Sequence, residues 1–218
     1  MSVAEARFYT LPDTAYNLWV RGELADLLHL PNDGTRVEVI GGEIVVSPGP
    51  NFAHNGVGQD LQRALFAAEM ADPGFPWRCV HTQDLNLIEI QDGYIPDLIV
   101  LDTEIYHKAR RSQAQYVLPD QVALVAEVTS RWNAADDREP GPRRSTATKW
   151  NGYAKVGIAH YLVVDRDPGA AQTILFSNPV QRLGTYRHLQ TWEFGEPIRL
   201  PEPFGFEIPT HEWEPWSE

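Results

Sequence analysis

A chain of 218 residues with 18 Lys and Arg against 30 Asp and Glu, net −12, is poorly suited to a long nucleic-acid footprint, which needs basic side chains to displace phosphate counterions. An apolar fraction of 43% and seven Trp exclude a disordered chain and suffice for one core. The lone Cys79 excludes an internal disulfide and no leader or apolar run of about 20 residues is visible, so a soluble protein of the cytoplasm is expected.

In chain order, residues 14–30 place Leu18, Leu24, Leu27 and Leu28 at helical spacing before Pro31, which predicts a helix. "RVEVIGGEIVVSP" reads as two strands around Gly41-Gly42, a pair suited to the positive φ angles of a two-residue hairpin loop. Asn51 caps a second helix whose stripe, begun by His54, continues through Val57, Leu61, Leu65 and Ala68 until Pro73-Gly74. "RCVHTQDLNLIEI" alternates as one strand, Asp92-Gly93 reads as a turn, and "YIPDLIVLD" as the next strand.

Residues 103–120 read as a loop with a short helix, followed by the strand "ALVAEVTS". A polar connection over 131–145 leads into a helix in "STATKWNGYAKVG", with Ser and Thr to cap it and Gly157 to stop it. "IAHYLVVD" has the apolar run of a central strand covered on both faces. From Gln172 short strands and Pro-rich turns follow. The sum is a three-layer α/β or α+β domain, 1–218, with a core of about 15–167 and a β-rich extension from 168.

Half of all Lys and Arg fall within 101–160: Lys108, Arg110, Arg111, Arg131, Arg138, Arg143, Arg144, Lys149 and Lys155, against seven acids. A solvated Arg-rich loop and a phosphate-binding edge both fit that pattern.

Two acids stand on otherwise apolar strands. Asp97 lies behind Pro96 at the mouth of one, and Glu127 in the middle of the other shares a face with Ala123, Val125 and Thr129 while Leu124, Ala126 and Val128 take the opposite one. A buried carboxylate needs a basic partner, hydrogen bonds or a metal ion. On neighbouring strands the two acids would converge, and hard oxygens of that kind hold Mg²⁺ beside phosphate chemistry. Lys149, early in the following helix, folds back toward them and can orient a water or offset charge. The bland reading is that Asp97 caps a turn and Glu127 pairs with Arg131 or Lys149.

Together "IPDLIVLD", "ALVAEVTS" and "KWNGYAKVGIAHYLVVD" resemble the PD-(D/E)XK nuclease superfamily, and within it a bacterial restriction-endonuclease-like branch of largely unestablished function. Pro96-Asp97, Glu127-Val128-Thr129-Ser130, Lys149 with Tyr153, and Gly157 to Asp165 carry the likeness, with Glu38, Gly42, Ser47, Pro48, His54 and Leu65 upstream. The resemblance implies a restriction-endonuclease-like fold with Asp97, Glu127 and the Val128 carbonyl as ligands of Mg²⁺ or Mn²⁺, and Lys149 as the catalytic cation. Thr129 stands where the motif places its lysine, and the branch moves that lysine to the next helix. Glu38 fits an additional catalytic acid, against the reading of an exposed hairpin carboxylate.

His54, Gln83, Thr129 and Tyr153 are candidate lining residues, with packing or capping as the plainer role of His54. Tyr153 and Trp150 are read chiefly as helix-to-sheet packing, with base stacking as the sharper alternative. The function expected is a metal-dependent endonuclease acting on DNA, working as a homodimer. Two other readings are an inactive nuclease-fold module that binds a protein or nucleic acid, and a hydrolase of a small phosphorylated substrate. No P-loop, dinucleotide-binding glycine pattern or nucleophile elbow is found.

Overall fold

The computed structural model describes residues 11–142, 144 and 147–217; Arg143 of the basic stretch lies outside them. Helices α1 (Ala15–Val20) and α2 (Leu24–Leu27) precede strands β1 (Arg36–Ile40) and β2 (Glu43–Ser47), then α3 (Phe52–Ala71), β3 (Trp77–His81), β4 (Asp84–Leu87), β5 (Asp92–Tyr94) and β6 (Leu98–Asp102). There follow α4 (Thr103–Ser112), β7 (Tyr116–Val117), β8 (Val122–Val128), α5 (Ala134–Asp137), α6 (Lys149–Lys155) and β9 (His160–Asp165). The last strands are β10 (Gln172–Val180), β11 (Thr185–Glu193), β12 (Ile198–Arg199) and β13 (Glu207–Ile208). Among the described residues no helix is long and apolar enough to cross a membrane.

Six strands in the order β11-β10-β9-β8-β6-β3 make the main sheet, where β8 and β9 run parallel and the other neighbours antiparallel. A second sheet has the order β2-β1-β5-β4-β7. One face of the main sheet, with Leu98, Val100, Leu124, Ala126 and Val164, packs against Val57, Leu61 and Leu65 of α3 and against the closing segment through Ile198, Phe204 and Trp213. The other face, with Ile99, Val125 and Val163, meets Trp150 and Tyr153 of α6 and Ile40, Leu85 and Tyr94 of the second sheet. The chain is therefore a mixed α+β fold with a mixed sheet covered on both sides.

Gly41 and Gly42 take φ of 61° and 79° between the paired Ile40 and Glu43, the hairpin loop expected. Elsewhere the chain departs from simple periodicity. The helix expected over 14–30 is two short helices separated by a turn at Arg21 and Gly22. "RCVHTQDLNLIEI" is shared by two sheets, because Thr82, at φ 49°, swings the chain from β3 into β4. The turn expected at Asp92-Gly93 lies upstream instead, where the Ile90 N–H donates to the Leu87 carbonyl, and Asp92 and Gly93 belong to β5.

A register shift between Val100 and Leu101 puts Ala123 on the α3 face rather than with Glu127. Within the expected β-rich extension, Gln172–Val180 and Thr185–Glu193 form a long hairpin, β10 with β11, that widens the main sheet beside β9.

Candidate active site

Two positional facts create the site. Pairing of β6 with β8 runs Leu98 to Ala126, so one further antiparallel step sets Asp97 opposite Glu127. Like charges opposed in this way destabilise a sheet unless something compensates. Next, β8 and β9 are parallel, so α6 must return antiparallel to both strands and begin where β8 ends. Thr148 caps that helix, its hydroxyl accepting from the Asn151 N–H, and Lys149 as first helical residue stands over Glu127.

Four buried acids and three basic groups result. The Lys149 ammonium lies 3.0 Å from Glu38 Oε1, 3.1 Å from Glu127 Oε1 and 3.4 Å from Asp137 Oδ1. Glu38 Oε1 also accepts the Ile95 N–H at 2.7 Å. The Tyr153 hydroxyl donates to Glu127 Oε1 at 2.6 Å. Asp97 Oδ1 accepts from Arg36 Nη1 at 2.8 Å, and its Oδ2 accepts the Val128 N–H at 2.9 Å. His54 Nε2 lies 3.0 Å from that Oδ2 but out of line for a hydrogen bond, and its Nδ1 has no hydrogen-bond partner among the described residues. Asp137 Oδ1 likewise has a charge neighbour but no hydrogen bond.

The two strand acids part company in their proton affinities. Burial would raise the Asp97 carboxyl, but His54, Arg36 and the Val128 N–H outweigh it and hold it well below the usual range. Burial lifts Glu127 to about 7, Asp97 and Glu38 adding to the rise and Lys149 only partly opposing it. Asp137 is driven well up, first by burial and then by Glu127, Asp97 and Glu38. Burial disfavours the Lys149 cation, yet Glu127, Glu38 and Asp137 overcome this and raise its pKa. Lys149 is thus an ammonium at neutral pH, suited to electrostatic work and not to taking a proton.

Asp97, Glu127, Val128, Lys149, Glu38 and His54 all line one cavity of about 570 Å³. Glu38 is buried, not the exposed hairpin acid that alternation allowed. Three of the sequence candidates have other surroundings. Gln83 lies away from the cavity and donates to the Gln115 carbonyl at 2.6 Å. Thr129 is fully buried, donates to Asp165 Oδ1 and accepts the Arg166 N–H, tying β8 to the end of β9. Tyr153 is fully buried behind Glu127, so its ring, like that of Trp150, is closed to base stacking.

Arg36 and Asp137 are the residues missed by sequence reasoning. Arg36 opens a hairpin strand and looks solvent-directed. Asp137 sits in an aperiodic connection where the only signal is the Asp136-Asp137 pair. Among its described residues the basic stretch makes no common edge: Lys108, Arg110 and Arg111 are exposed on α4, Arg138 pairs with Asp165, and Arg144 with Asp136.

Among the described residues no three His, Cys, Asp or Glu side chains are arranged to hold a metal. Mg²⁺ does not require three, since one or two carboxylates with waters hold it commonly. Asp97 and Glu127 supply hard oxygens on facing strands, and four buried acids outnumber Lys149 and Arg36. The donor chemistry fits a divalent cation.

The family model described as "Uma2: Putative restriction endonuclease" matches residues 24–211. The chain belongs to the Uma2 family. With it comes membership of the PD-(D/E)XK superfamily and a nuclease-like character. A solved structure from Anabaena variabilis ATCC 29413, described as a putative nuclease belonging to DUF820, is similar in fold at a TM-score of 0.58 and 14% identity. The match covers 85% of this chain and 93% of that one. Among curated proteins no match is found.

Proposed function

We propose that this Uma2 member is a metal-dependent endonuclease that hydrolyses phosphodiester bonds in DNA. The observation that carries the reading is the facing pair Asp97 and Glu127, both buried and lining one cavity with Lys149, whose ammonium lies on Glu127. Asp97, Glu127 and the Val128 carbonyl would hold Mg²⁺, or Mn²⁺ in its place. A divalent cation there supplies Lewis acidity toward a phosphoryl oxygen.

The chain's own groups do the rest. Lys149 orients the attacking water and offsets charge that grows on the phosphoryl oxygens. Glu38, hydrogen-bonded to the Ile95 N–H and beside Lys149, takes the proton that water loses. Arg36 and His54 keep Asp97 ionised and aimed along β6. Two protomers would serve the two strands of a duplex, which argues for a homodimer. In the test, purified protein with Mg²⁺ or Mn²⁺ nicks plasmid DNA and Asp97→Asn does not. A wild type inert on every DNA form in both metals contradicts the reading.

One observation favours a second function. Both strand acids are already neutralised from within, Asp97 by Arg36 and Glu127 by Lys149, as suits an inactive module binding a protein or nucleic acid. Titration calorimetry separates the two: Mg²⁺ uptake that Asp97→Asn abolishes favours the enzyme, and no uptake by the wild type favours the module.

A further inference from the structure

The cavity wall carries groups that the reaction above leaves idle. Trp132, in the connection after β8, lines the cavity with 80% of its surface exposed, so its ring is accessible to a ligand there. Trp216, from the closing segment, lines it too and is half-buried. That segment is fastened in place: the Trp213 indole donates to Asp60 Oδ2 of α3 at 3.0 Å, and the Trp216 N–H donates to the Arg166 carbonyl at 2.9 Å.

Arg131 and Arg166 also line the cavity, and neither forms an ion pair among the described residues. Arg166 is buried and uses Nε on the Glu214 carbonyl at 3.0 Å. Burial lowers its pKa and the Glu214 carboxylate partly restores it. Two guanidinium groups outside any close ion pair among the described residues, on the same cavity wall as two indole rings, make a combination with a chemical meaning. Aromatic faces take unstacked bases, and arginines take the phosphates between them.

We propose that this wall binds an unpaired DNA strand, a base resting on Trp132 or Trp216 and adjacent phosphates on Arg131 and Arg166, which brings the next phosphodiester to Asp97, Glu127 and Lys149. The inference rests on the endonuclease reading and names its substrate as single-stranded or locally opened DNA. A closed duplex keeps its base faces stacked within itself and hidden from an indole. It also needs a long basic track, which a chain of net −12 with 18 Lys and Arg against 30 Asp and Glu does not offer.

The test is fluorescence polarisation of a short labelled oligodeoxynucleotide, single-stranded or annealed to its complement, read in chelator so that hydrolysis contributes nothing. The wild type should prefer the single strand. Trp132→Ala, at an exposed position, and Trp216→Ala should each weaken single-strand binding about tenfold. Trp132→Phe and Trp216→Phe should retain most of the affinity, which a loss of folding would not allow. Equal affinity for duplex and single strand, or alanine variants that bind like the wild type, overturns the inference. A wild type that binds single strands through both tryptophans yet cuts nothing upholds it and counts against the catalytic reading alone.

Discussion

The two faces of the main sheet are built from the same strands and answer to different demands. On the α3 side every inward position of β6 and β8 is aliphatic, and Val57, Leu61 and Leu65 close over it. On the α6 side Ile99 and Val125 begin the same way, but the next positions toward the end of β8 are Asp97, held by Arg36 and beside His54, and Glu127, covered by Lys149 and Tyr153. Burial on the first face is a direct source of stability. On the second, four acids are taken out of water around one lysine and one arginine, an arrangement that apolar residues of like volume would usually equal or better. A fold accepts that cost where function requires the charges.

Substitutions on the two faces should separate these demands. Lys149→Met, which leaves Glu38, Glu127 and Asp137 without their shared cation, should abolish cleavage and lower stability by about 3–5 kcal/mol at neutral pH, with a smaller loss in acid as the carboxyls protonate. Leu124→Ala on the α3 face should cost about 2–5 kcal/mol in denaturant unfolding, with the same loss at both pH values and cleavage retained wherever the protein stays folded. If the two variants show the same pH dependence, the contrast between the faces fails.

A milder probe is Tyr153→Phe. It removes one donor from buried Glu127, so unfolding free energy should fall by about 1–3 kcal/mol and Glu127 should titrate still higher. The exposed pair Arg199–Glu207, 3.1 Å apart, is the control; Arg199→Ala should change stability by no more than about 1 kcal/mol.

The site should also leave a signature in pH. Glu127 holds its proton up to about 7 in the folded chain against an ordinary 4.5. The native state therefore binds that proton more tightly than the unfolded state, and stability falls as pH rises from 4.5 to about 7. Asp137, also raised, acts in the same direction. Asp97, lowered from 3.8, has the opposite sign, but its window lies below 3.8. Metal-free wild type should thus lose stability across that interval, and Glu127→Gln should flatten the slope. An unchanged slope in Glu127→Gln removes Glu127 as its source.

The apolar face was legible because period and burial coincide along α3, β6 and β8. So was the convergence of Asp97, Glu127 and Lys149, which needs only strand alternation and a helix that returns over a parallel pair. Arg36 was hidden because a basic residue opening a hairpin looks solvated until its partner, 61 residues away, is known. Asp137 was hidden because residues 131–145 have no period to place it. The break at Thr82 turned on one left-handed backbone angle at a residue that does not announce it. Gln83 was misjudged with it, since a continuous strand would have carried it to another place.

Mn²⁺ diffused into crystals of the protein would show through its anomalous scattering whether the two strand acids share a cation. A peak in contact with both Asp97 and Glu127 is expected, lost in Asp97→Asn. Crystals that take up Mn²⁺ elsewhere, or show none between these two carboxylates at saturating concentration, would contradict it.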